Sequence, residues 1–124
     1  KEEGIDLIVA LRGGQPLTTN VNVPNQGQIP WLPKDHVVET LAQVDRDRVC
    51  PQVVGDFPLG LQVHLKRVAD VQEMALQAAM ACDRDLALAA LLADPLCQLD
   101  TDQADRLLGE LIAANRDHLP EAWR

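Results

Sequence analysis

The chain has 124 residues, 47% apolar and 24% charged, with a formal net charge of −8 and a pI near 4.6. That length reads as a single domain, residues 1–124, with room for an ordinary core. The acidity excludes a nucleic-acid partner, since Lys66-Arg67 is the sole basic doublet, and no run approaches the roughly 18 apolar residues of a membrane span.

The first residue is Lys1, with no Met and no apolar leader, so residues 1–11 read as the interior of a longer protein. Residues 2–12 have helical character, with Ile5, Ile8 and Val9 on one side, and Gly13-Gly14 provides the stop. Residues 18–23 alternate as a strand, Val21 and Val23 opposite Asn20 and Asn22. Pro24-Asn25-Gln26-Gly27 has the composition of a turn. Pro30 and Pro33 bracket Trp31-Leu32 and are expected to hold that pair extended. Two further strands are expected at 37–44 and 49–54, joined by a hairpin turn at Asp45-Arg46-Asp47-Arg48.

After Gly55 to Pro58 the pattern turns helical. Leu61, Leu65, Val68, Val71, Ala75, Ala78 and Cys82 trace one face of a long helix, read as core. Asp83 is placed to cap a second helix through 86–92, which Pro95 stops. Asp100 and Gln103 form a capping-box pair before a third, whose face is Ala104, Leu107, Leu108, Leu111 and Ile112, with Pro120 closing it. The fold class is therefore α+β: a small antiparallel sheet packed with several helices.

Residue chemistry supplies little that catalyses. There is no Ser and no Tyr. His36, His64 and His118 are isolated, with no HxxxH or HExxH spacing, and no glycine-rich loop leads from strand to helix. Cys50, Cys82 and Cys97 are odd in number and widely spaced, so they read as small buried hydrophobes in a reducing cytosol. Glu39, Asp56 and Glu73 cannot be paired from spacing and are expected to be solvated. No catalytic and no metal-ligating residue is assigned.

Residues 21–33, VNVPNQGQIPWLP, differ from ordinary loop. The side chains of Asn22 and Asn25 each offer a donor and an acceptor, the chemistry that reads sugar hydroxyls, and the same groups can instead brace a turn through nearby backbone. The run resembles the VNxPNxGxIxNLP segment in the C-terminal region of glycoside hydrolase family 4. The resemblance continues in order through Val37-Val38-Glu39, Val54-Gly55-Asp56-Phe57-Pro58, Val71-Gln72-Glu73, Asp83-Arg84 against the family's GDR, Asp94-Pro95-Leu96 and His118-Leu119-Pro120. Departures are Trp31 in place of Asn, Cys82 in place of the small residue of GDR, and Arg48 where Gly is common.

The resemblance implies a C-terminal α+β domain similar to that of lactate and malate dehydrogenases, preceded by a Rossmann-type NAD-binding domain. It implies a cytoplasmic, homo-oligomeric enzyme that uses NAD and a divalent metal, usually manganese, to cleave O-glycosidic bonds by redox elimination, an exception to two-carboxylate hydrolysis. Galactosides, phospho-glucosides and galacturonides are the family's substrates. The cofactor and metal residues lie outside this chain, which is expected to bind neither group and to contribute a cleft wall and a subunit interface, with Asn22 and Asn25 toward the sugar. Two alternatives remain open at this level: the C-terminal domain of a hydroxy-acid dehydrogenase, and a non-catalytic helical interaction module.

Overall fold

The computed structural model describes residues 3–123. Its internal contacts fall into two units, divided between Pro58 and Leu59.

In the first unit, α1 (Glu3–Leu11) precedes β1 (Leu17–Pro24), β2 (Val37–Val44) and β3 (Val49–Pro51). The strands form one antiparallel sheet in the order β1-β2-β3. The helix ends as its glycines dictate, with Gly13 at φ +91°. β2 alternates exposed and buried residues along its whole length, so Val38, Thr40, Ala42 and Val44 face inward. Ala10 of α1 packs on Ala42 and Val44, and Leu7, Leu17 and Val21 enclose them. The Thr19 hydroxyl donates to the Glu3 carboxylate and ties sheet to helix. Asp45 makes the hairpin turn by accepting from the amides of Asp47 and Arg48, at 2.9 and 3.1 Å.

β3 is shorter than the run 49–54. Pro51 has no N–H to give the ladder. Gln52 N still donates to Leu41 O at 2.8 Å, but Val54 N turns away to Gln28 O at 2.7 Å. This segment thereby becomes a brace for the loop between β1 and β2.

The second unit holds α2 (Leu59–Ala81), α3 (Arg84–Ala93) and α4 (Thr101–Ala114), followed by two 3-10 turns, Arg116–His118 and Glu121–Trp123. Both caps form as their sequences indicate: Asp83 accepts from Leu86 N, and Asp100 and Gln103 make a reciprocal capping box. α2 packs chiefly on α3, and α3 on α4. Arg67 Nε donates to Ala93 O at 3.0 Å, satisfying a free carbonyl at the end of α3. Arg84 Nη1 meets Asp105 Oδ1 at 2.6 Å and joins α3 to α4. The hydrogen bond and the charge of Asp105 raise the Arg84 pKa above its ordinary value.

The long α2 face departs from the expected core. Ala69 and Ala78 are buried, whereas Leu61 is 45% and Leu65 36% exposed. Helical spacing aligns these residues on one side without determining what covers them. The cysteines are also less buried than expected: Cys50 is exposed and Cys82 and Cys97 are half-buried. Cys50 lies on the short edge strand β3, which no further strand covers among the described residues.

Candidate functional site: the loop between β1 and β2

The β1–β2 ladder runs from Leu17 opposite Val44 to Pro24 opposite Val37. Beyond it the chain closes a loop. Asn25 N donates to His36 O, and Asp35 N to Asn25 O, each at 2.8 Å. The sequence from Asn25 to His36 would otherwise leave many backbone groups unpaired, which is costly away from water.

Asn25 resolves this. It is 1% exposed. Its Nδ2 donates to the carbonyls of Ile29, Leu32 and Pro33 at 2.9, 3.0 and 3.0 Å, and its Oδ1 accepts from the amides of Gly27 and Ile29 at 3.2 and 3.1 Å. The backbone-bracing use of this amide, one of the two open from sequence, is the one its contacts display. Gly27 adopts φ +111°, a conformation that favours glycine.

Gln28, 6% exposed, adds a second internal amide. It donates to Pro24 O at 3.0 Å and accepts from Gln26 N. Sequence reasoning missed it, because the alternation N-Q-G-Q does not tell which glutamine turns inward. The Gln26 side chain instead donates to Asp35 Oδ1. Asp35 has φ +67°, a region that Asp tolerates better than most residues.

Trp31 and Leu32 do not run extended. Leu32 N donates to Ile29 O at 3.2 Å and closes a turn with Pro30 second. Proline presets the φ that this position needs, which outweighs the extended bias it imposes on its predecessor. The turn brings Trp31 against Phe57, ring centroids 5.8 Å apart and planes inclined at 55°. The indole Nε1 is buried with no acceptor among the described residues.

Asn22 is exposed on the outer face of the sheet, opposite Glu39, which is also exposed. Its amide is therefore open to a ligand, whereas that of Asn25 is engaged by the loop. Glu39, Asp56 and Glu73 are exposed. The described residues bring no three His, Cys, Asp or Glu side chains together as a metal ligand set. None of the described helices is long and apolar enough to cross a membrane.

Residues 1–97 match the family 4 glycosyl hydrolase C-terminal domain. The chain belongs to that family.

Four alpha-galacturonidases are between 32% and 41% identical to it. That of Bacillus subtilis is 41% identical over 90% of this chain and 25% of its own length. An alpha-galactosidase of the same organism is 31% identical over 98% of this chain and 28% of its own length. Among solved structures, the 6-phospho-beta glucosidase of Thermotoga maritima with manganese, NAD+ and glucose-6-phosphate is 31% identical and superposes with a TM-score of 0.81, covering 92% of this chain and 29% of that one. The chain thus spans about a quarter of the length of its relatives. Those relatives are named glycosidases, and the α+β architecture of this chain is that of the family 4 C-terminal domain.

Proposed function

We propose that residues 1–124 act as one cleft-wall and assembly domain of an NAD- and manganese-dependent glycosidase, which cleaves alpha-galacturonides by redox elimination. The rest of the enzyme, a Rossmann-type NAD-binding domain, would hold the cofactor and the metal. This domain would supply the preorganised loop and Asn22 to the sugar, with Asn25 acting through the loop it braces.

One observation carries the reading: the family match covers residues 1–97, including the whole loop and both asparagines. The substrate class is supported by identity. The Bacillus subtilis alpha-galacturonidase is 41% identical and the alpha-galactosidase of the same organism 31%. The assembly role is supported by exposed apolar side chains on both units, among them Ile5 at 70%, Val37 at 61%, Leu59 at 73% and Val63 at 61%. Apolar surface on this scale is covered in most folded proteins. Homo-oligomeric packing and the NAD-binding domain are the coverings proposed, in a cytoplasmic enzyme.

The test is turnover by the full-length protein of nitrophenyl alpha-D-galacturonide, with NAD, manganese and a reductant present, beside a panel of neutral and phosphorylated glycosides. Hydrolysis that requires both NAD and the metal is expected. Failure on every alpha- and beta-glycoside would overturn the reading.

A further inference from the structure

We propose that Lys34 is the specificity-determining cation of this loop, the side chain that takes the C6 carboxylate of a uronide. The inference rests on the glycosidase reading above. It adds the residue that selects the anionic sugar over its neutral counterpart.

A galacturonide and a galactoside differ at one carbon, carboxylate against hydroxymethyl. At neutral pH the former is an anion and the latter is neutral. Preference for the anion therefore requires a cation at hydrogen-bonding distance, where a charge-assisted bond is about twice as strong as a neutral one. Lys34 is the sole Lys or Arg between Pro24 and His36.

Its setting is unusually constrained for an exposed lysine. Both neighbours are held by Asn25: Pro33 O accepts from Asn25 Nδ2 at 3.0 Å, and Asp35 N donates to Asn25 O at 2.8 Å. The Lys34 side chain thus departs from a fixed backbone. The adjacent carboxylate, Asp35, is engaged by Gln26. Lys34 itself makes no ion pair or side-chain hydrogen bond among the described residues, whereas Arg48 pairs with Asp45, Lys66 with Asp70 and Arg84 with Asp105. The strand end of the same element has the opposite sign, since Asn22 lies opposite exposed Glu39. Neutral hydroxyls suit that end and a carboxylate suits the Lys34 end.

The experiment uses full-length protein carrying Lys34→Met or Lys34→Arg, with NAD, manganese and a reductant. It measures kcat and KM on nitrophenyl alpha-D-galacturonide and nitrophenyl alpha-D-galactoside. Lys34→Met is expected to raise KM for the galacturonide about tenfold to a hundredfold, the worth of one hydrogen bond to a charged group. The loss in kcat/KM should be far larger for the galacturonide than for the galactoside, and Lys34→Arg should retain most of the wild-type preference. Added salt should raise the galacturonide KM of the wild type more than that of Lys34→Met. Equal loss on both substrates, or no change in galacturonide KM, overturns the role of Lys34 while leaving the glycosidase reading intact. Wild-type protein that cleaves neither of these substrates overturns the galacturonide assignment, and this inference with it.

Discussion

Asn25 and Ile29 bond to each other in both directions: the Asn25 Nδ2 donates to Ile29 O at 2.9 Å, and Ile29 N donates to Asn25 Oδ1 at 3.1 Å. The same side chain reaches Leu32, Pro33 and Gly27, so one amide satisfies backbone groups across nine residues of loop. No aliphatic replacement can do this, because the loop needs a donor and an acceptor at one buried point.

Asn25→Ala is therefore expected to cost about 2–4 kcal/mol, the penalty for leaving several buried groups unpaired. Asn25→Asp keeps the acceptor but aims a carboxylate at three carbonyl oxygens in a site 1% exposed. Its folded-state pKa should lie above the ordinary value of about 3.9, since burial and the carbonyls disfavour the charge. The unfolded chain then ionises first, so the variant loses stability as pH rises above about 4 and levels off beyond its folded pKa. Urea denaturation of both variants between pH 3 and 8 is the check. An Asn25→Asp curve parallel to that of the wild type would contradict the buried placement.

Cys82 sits just past α2 with φ +53°, while Asp83 N donates to Ala78 O at 3.0 Å. This is the Schellman arrangement, whose left-handed residue is usually glycine. A side chain there costs about 1–2 kcal/mol, of which glycine's greater unfolded freedom returns part. Cys82→Gly should stabilise the chain by about 0.5–1 kcal/mol, seen as a higher urea midpoint at unchanged slope. The GDR sequence that this position resembles has glycine at that point, the residue that a left-handed conformation favours.

These two residues mark what the sequence disclosed. Caps and turns depend on neighbours a few positions away, so Asp83, Asp100 with Gln103, and Asp45 could be placed from spacing alone. The alternation of residues 37–44 likewise gave β2 to the residue. Whether the Asn25 amide points to ligand or to backbone is decided by where Leu32 and Pro33 return, which local pattern does not encode. The α2 face failed for a related reason: periodicity identifies a stripe, not its partner, and Leu61 and Leu65 remain open in this chain. That Asp35 engages Gln26 and leaves Lys34 unpaired among the described residues is likewise not encoded in the local pattern.

Asp100→Ala should destabilise the second unit by about 1 kcal/mol, the usual worth of an N-cap. The box here is reciprocal, with Gln103 N donating to Asp100 Oδ1 at 2.8 Å and Asp100 N donating to Gln103 Oε1 at 3.1 Å. Asp100→Asn, which retains the acceptor, should recover most of the loss. Helix content by circular dichroism alongside the urea midpoint separates a lost cap from a general unfolding. Equal loss from Asn and Ala would exclude the cap as the cause.

The last prediction concerns Phe57, which fixes the other side of the loop. Its ring lies 5.8 Å from that of Trp31, and Val54, three residues before it, is bonded to Gln28 O. The Val54 backbone bond and the Phe57 ring contact both hold this segment against the loop. Phe57→Ala should cost about 1–3 kcal/mol, below the usual figure for a fully buried phenylalanine because this one is half-buried. It should also open the Trp31 indole to water. Trp31 and Trp123 are the chain's two tryptophans, so a Trp123→Phe background isolates the Trp31 emission. A red shift on adding Phe57→Ala is the expected result. Stability lost with emission unmoved would mean that the turn at Ile29 and Leu32, and not the Phe57 ring, keeps the Trp31 indole from water.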